Sequence, residues 1–142
     1  MKPILSALLA SWCAAFALDD YTNGPASFKQ PGVPEGTVYE QEWTNSKVYP
    51  GTWRKFWIYV PAKYDGKTPV SLMVFQDGES WMRTNGQIRA TYVLDNLIHE
   101  GSIPLLAGLF VNPGRRVPVD LKKRPENRGL EYMFIMMNAA RY

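Results

Sequence analysis

Two side chains in this sequence invite a reading as hydrolytic machinery: Ser80, in Gly78-Glu79-Ser80-Trp81, and His99, the only histidine. A serine becomes a nucleophile when a neighbouring imidazole takes its proton and a carboxylate orients that imidazole. Where the serine rides a strand-to-helix elbow it is bracketed as Gly-x-Ser-x-Gly, because side chains would crowd the strained turn, and the chain order is serine, acid, histidine. Ser80 has the first glycine and lacks the second, the motif occurs nowhere in the chain, and no elbow serine precedes His99. Ser80 therefore reads as a surface or helix-capping serine. His99 reads as a solvent-facing residue late in a helix, near the negative end of its dipole.

Other chemistry is thinly supplied. One histidine and one cysteine, Cys13, give no metal-ligand spacing, so neither metal nor cofactor is expected. Asp19-Asp20 reads as a solvated pair. Arg115-Arg116 together with Lys122-Lys123-Arg124 makes a basic cluster suited to an anionic ester such as a catecholate or a carboxylated sugar, or else an exposed loop. Five tryptophans, notably Trp43, Trp53, Trp57 and Trp81, open a second class of function: a non-catalytic carbohydrate-binding module that stacks sugars on exposed Trp and Tyr rings. Such a module would be a β-sandwich of alternating strands without a crossover helix.

The 142 residues are 46% hydrophobic and 20% charged, which suits one domain with an ordinary core and excludes disorder throughout. The net charge of +3 is not gathered into a dense stripe, so no nucleic-acid partner is expected. Met1-Lys2 makes a short positive start, Pro3 to Phe16 is free of charge, and Ala15-Phe16-Ala17 has the small-x-small pattern that signal peptidase reads. Residues 1–17 are thus a cleavable signal peptide, and the expectation is export to the periplasm or beyond. The apolar stretch falls short of the roughly 20 residues of a spanning helix, so no stable membrane anchor is expected. Cys13 follows Trp12 rather than a small residue, which argues against lipidation. Cleavage would remove Cys13, leaving no disulfide or thiolate site.

Residues 18–36, rich in Asp, Asn, Gly, Pro and Ser, read as a flexible leader. Val38 to Thr44 is a candidate strand. Trp53 to Val60 alternates Phe56, Ile58 and Val60 against Lys55, Trp57 and Tyr59, the period of a strand with one face in the core, and Pro61 closes it. Tyr64 to Pro69 has turn chemistry, with Gly66 free to take a positive φ. Val70 to Phe75 is apolar at nearly every position, as in a strand covered on both faces. From Gln87 to Glu100, the residues Val93, Leu94, Leu97 and Ile98 fall at helical spacing and Gly101 sits at the C-cap. Leu105 to Val111 is a second continuous apolar run. Strand, helix, strand predicts a parallel βαβ unit behind N-terminal antiparallel strands. A polar, basic loop follows through Arg128.

Trp53-Arg-Lys-Phe-Trp-Ile-Tyr-Val-Pro61, Val74-Phe-Gln-Asp-Gly78, Leu94-Asp-Asn-Leu-Ile-His-Glu-Gly-Ser-Ile-Pro104, Phe110-Val-Asn-Pro-Gly114 and Asn127-Arg-Gly-Leu-Glu-Tyr132 resemble, in that order, the enterochelin-esterase-like branch of the α/β-hydrolases. That branch is related to feruloyl and acetyl-xylan esterases. The resemblance covers roughly Tyr49 to Tyr132. It implies a Ser-Asp/Glu-His carboxylic-ester hydrolase whose substrate is a small-molecule or polysaccharide-linked ester, with backbone amides holding the oxyanion. It also places the second oxyanion-hole amide at the turn Asp77-Gly78-Glu79, where a glycine lets a backbone N–H approach the oxyanion closely. Gly78 and Glu79 are the oxyanion-hole candidates, and Asp77, Arg128 and Glu131 are candidates for the rim.

The tail departs from the resemblance. Met133-Phe-Ile-Met-Met-Asn-Ala-Ala-Arg-Tyr142 stands where the family continues into a turn, a helix and the strand of the nucleophile elbow. The expectation is an incomplete α/β-hydrolase: residues 37–132 as the N-terminal half of the domain, residues 133–142 as a divergent tail, no catalytic triad and no turnover. A sheet cut midway would expose an edge open to self-association.

Overall fold

Nine residues alternating in and out organise the computed structural model, which describes residues 22–125 and 128–129. They are Thr52–Val60, strand β2. β2 pairs antiparallel with β1 (Thr37–Trp43) on one side and with β4 (Leu106–Val111) on the other, and β4 pairs parallel with β3 (Ser71–Gln76). The order β1-β2-β4-β3 joins the antiparallel N-terminal strands to the parallel βαβ unit. A two-residue strand, β5 (Arg115–Arg116), pairs with the start of β2, in a segment where the sequence predicts only a loop. The helices are α1 (Gly78–Met82) and α2 (Ala90–Glu100). The signal peptide and the divergent tail lie outside the described residues.

The core lies on the face opposite to the one the aliphatic residues suggest. Trp57 and Tyr59 are buried with Leu106 and Phe110 beneath Ala90, Leu94 and Ile98 of α2, while Phe56, Ile58 and Val60 point to the other face and are half-buried. The two large rings fit inside because each polar tip has an acceptor: Trp57 Nε1 donates to Glu40 Oε2 at 2.9 Å, and the Tyr59 hydroxyl donates to Asp95 Oδ1 at 2.8 Å. Phe75 of β3 stacks on Phe110, with ring centroids 4.3 Å apart, and Trp81 of α1 tilts against Phe75 from the same side.

For β3 two expectations compete: its continuous apolar run predicts cover on both faces, and a sheet cut midway predicts an exposed edge. The second is what is seen, since β3 is the outermost described strand, with Leu72 62% and Val74 54% exposed. Both helices sit on the Trp57 face, so the row Tyr39, Ile58, Leu109 and Val74, one residue from each strand, lies on a face that no described element covers. The turn before β3 is as anticipated. Gly66 has φ +76°, and Asp65 Oδ1 accepts from the Thr68 and Lys67 amides, which pull its carboxyl down to about 2.

α2 begins at Ala90, later than its apolar spacing suggests, because Arg89 takes a left-handed φ of 54° and its Nε donates back to the Gly86 carbonyl. It ends where expected, with Gly101 at φ +78° donating to the carbonyls of the last turn.

The described part of the leader, residues 22–36, is fastened rather than loose. Asn96, 1% exposed, donates from Nδ2 to the carbonyls of Ala26 (2.7 Å) and Phe28 (2.8 Å), and the Gly36 amide donates to Asp95 Oδ1 (2.8 Å). Arg89 lies over the Phe28 ring at 4.5 Å. Composition predicts flexibility because it counts apolar burial; here the anchoring comes from backbone polar groups meeting two buried side chains of α2.

Asp95 therefore couples leader, strand and helix. Burial pushes its carboxyl above the ordinary range, against the opposing pull of the Gly36 amide and the Tyr59 hydroxyl, and Glu35 pushes the same way as burial. For a carboxyl raised in the folded state, the stabilising contribution is complete below its unfolded value and fades as pH rises through the folded one. Asp95→Asn keeps the Oδ1 acceptor and removes the titration. Its melting temperature should gain on that of the parent as pH rises from about 4 through the raised titration; thermal scans in which the gap stays constant would contradict this.

Candidate active site

At the carboxyl end of β3 the chain reverses through Asp77, which adopts a left-handed φ of 57° and ψ of 41°. A non-glycine residue in that region carries strain and persists where surroundings impose it. Three contacts do so. The Asp77 carbonyl accepts from the Ser80 amide at 2.9 Å, Trp81 Nε1 donates to the Gln76 carbonyl at 2.7 Å, and Arg128 grips the carboxylate with Nε on Oδ1 (2.9 Å) and Nη2 on Oδ2 (2.5 Å). The two-pronged guanidinium pairing fixes the orientation of Asp77 as well as its charge.

Gly78 follows, and its role differs from the one the sequence suggests. A Cβ placed on it would stand 2.4 Å from the Phe110 carbonyl carbon and 2.5 Å from the Val111 nitrogen. The glycine is there because α1 starts directly on the backbone of β4.

That contact brings Glu79 against Asn112, just past the end of β4. The Glu79 amide donates to Asn112 Oδ1 (3.1 Å), and Asn112 Nδ2 donates to Glu79 Oε2 (3.2 Å). The candidate oxyanion amide is therefore already satisfied by a neutral side-chain carbonyl. Together Asp77, Glu79, Ser80, Asn112, Arg124 and Arg128, with two prolines, line a cleft of about 600 Å³. It sits outside the carboxyl ends of the parallel strands, where open α/β sheets bind ligands.

Of the residues singled out from the sequence, Asp77, Glu79 and Arg128 meet in this cleft with Gly78 beneath them. Glu131 lies outside the described residues. Ser80 lines the cleft, whereas His99 lines a separate small crevice with Pro34, Tyr59, Lys63 and Asp95. The one acid of that crevice, Asp95, is spent on Tyr59 and Gly36. Sequence reasoning passed over Asn112 as a site residue. Its signal is the Asn-Pro-Gly that breaks the β4 run at the carboxyl end of a parallel strand.

Gly78→Ala should destabilise the fold by about 3 kcal/mol, since backbone on both sides leaves no room for a methyl group to be accommodated; urea titration gives the value. Asn112→Ala should speed hydrogen exchange at the Glu79 amide while leaving the Leu94 and Phe110 amides protected. Equal exchange at Glu79 in both proteins would show that the pair is not formed in solution.

No protein-family model matches the chain, and a search of curated proteins finds no match. Solved structures do match. A ferulic acid esterase of family CE1 from Anaeromyces mucronatus, determined without substrate, is 22% identical with a TM-score of 0.53, covering 83% of this chain and 48% of the esterase. The same enzyme with ferulic acid gives 22%, a TM-score of 0.51 and coverage of 63% and 33%. A serine-to-alanine variant of the feruloyl esterase module from Clostridium thermocellum, complexed with sinapinate, gives 16%, 0.50 and coverage of 66% and 32%. The chain thus spans between a third and a half of the length of these structures. Its mixed sheet and helices form an α/β fold similar to one portion of the fold of these esterases.

Proposed function

We propose that this chain supplies the oxyanion-binding part of an exported carboxylic-ester hydrolase of the enterochelin-esterase-like kind, acting on siderophore, feruloyl or acetyl esters. The observation that carries the reading is the Asp77-Gly78-Glu79 turn, which borders a cleft at the carboxyl end of β3 with its Glu79 amide held by Asn112, in a fold matched to feruloyl esterases. In acyl transfer a serine attacks the ester carbonyl, and an amide such as that of Glu79 takes up the charge on the oxygen. Among the described residues no serine, imidazole and carboxylate form a relay, so the reading assigns this chain transition-state stabilisation without attack. Residues 1–17 remain its export signal, and residues 37–132 its share of the hydrolase domain.

A ferulate titration followed by amide chemical shifts should move Gly78, Glu79 and Asn112 and spare the β1–β2 turn. Ferulate shifts absent from this set would overturn the reading. The purified chain should leave p-nitrophenyl acetate at its background rate. Hydrolysis lost on Ser80→Ala would instead make Ser80 a nucleophile.

A second reading, sugar stacking, draws on Tyr39 (52% exposed) and Trp43 (50% exposed) on the uncovered sheet face. Trp53 and Trp57 are less suited, each donating its Nε1 to a glutamate of β1.

A further inference from the structure

The basic cluster of the sequence closes on itself in space. β5 holds Arg115 and Arg116 against Trp53 and Thr52 of β2, and the following segment folds back, its Val117 amide donating to the Gly51 carbonyl at 3.1 Å. Arg115 Nη1 then donates to the carbonyls of Asp120 (3.0 Å) and Lys123, so Arg115 serves as the post around which the loop is wound. The result is a second cavity of about 230 Å³ lined by four cations, Arg115, Arg116, Lys123 and Arg124, and by a single carboxylate, that of Asp120. Asp120 is partly spent: Oδ1 accepts from the Lys122 amide at 2.9 Å, and Oδ2 lies 3.9 Å from Lys123 Nζ.

Arg124 links this cavity to the ester cleft, because it lines both. Among the described residues it makes no hydrogen bond or ion pair, whereas Arg128, across the cleft, is engaged by Asp77. A planar guanidinium lying between two adjoining cavities, beside three further cations, matches a compact oxyanion such as a carboxylate or a phosphate.

We propose that the cavity lined by Arg116, Lys123 and Arg124 binds the carboxylate or phosphate group of an anionic ligand. This assignment stands on the cavity alone and does not depend on the reading of the Asp77–Glu79 cleft. A carboxylate and a phosphate both offer paired oxygens to the guanidinium fork.

Amide shifts of the full chain titrated at low ionic strength with glucuronate, glucose 6-phosphate and glucose test it. Glucuronate or glucose 6-phosphate should give saturable shifts at residues 115–124, and whichever binds more tightly names the source of the anion; glucose should give none. Arg124→Gln should weaken binding about tenfold, the loss of roughly one charge-assisted contact, with Met73 and Leu109 amides unmoved to show that the fold persists. No saturable shift with either anion, or equal shifts with glucose, would overturn the proposal. Anion binding alongside a failed ferulate titration would remove the ester reading and leave the anion cavity standing; the reverse result would remove the cavity and leave the ester reading.

Discussion

The architecture of the site depends on an absence of atoms at residue 78. With no Cβ there, the first turn of α1 rests on the peptide between Phe110 and Val111, closer than any side chain would permit. Two elements distant in sequence, the turn after β3 and the end of β4, are thereby held in contact. The rest is consequence: Asp77 takes a left-handed conformation to reach that position, Arg128 clamps its carboxylate, and Glu79 meets Asn112. The cleft opens outside the carboxyl ends of the parallel strands, where open α/β sheets bind ligands.

The same economy shapes the core. Trp57, Tyr59, Phe75 and Phe110 give the small sheet much of its buried bulk on one face, and Asp95 and Asn96 of α2 add a polar layer that holds residues 22–36 through their backbone. The two sheet edges differ. β1 carries Glu40 and Glu42, tied to Lys55, Trp57 and Trp53, and charges of this kind discourage further strand pairing. β3 has no charge, proline or glycine from Ser71 to Gln76, and its apolar side chains stand exposed. An edge of that composition is suited to receiving another strand.

Much of this was legible from periodicity. β1, β2, β3, α2 and β4 fall within a few residues of their expected bounds because runs such as Val70 to Phe75, and stops such as Pro61 and Gly101, are local signals. Which face of β2 is buried was not legible, since both faces are apolar and the decision rests on acceptors for Trp57 and Tyr59 that come from β1 and α2. The run itself does not decide the cover over β3: a continuous apolar run records what a strand can tolerate, whereas its exposure depends on neighbours. Asp77, Glu79 and Arg128, which the resemblance singles out, line one cleft. Asn112 escaped because its importance is a distance to a turn 33 positions earlier, which no local pattern encodes.

Under the proposed oxyanion-binding role, the Asn112 contact would set what the Glu79 amide distinguishes. In the resting fold that N–H is bonded to a neutral amide oxygen. A neutral ester carbonyl offers the same kind of acceptor, so exchanging Asn112 for substrate gains little. A full negative charge on the oxygen forms a bond roughly twice as strong, and the exchange becomes favourable as charge develops. An amide that must surrender an internal partner thus discriminates between ground state and oxyanion more sharply than a bare one, the difference on which rate acceleration rests. In that proposed role Gly78 would act indirectly, by holding Glu79 within reach of Asn112.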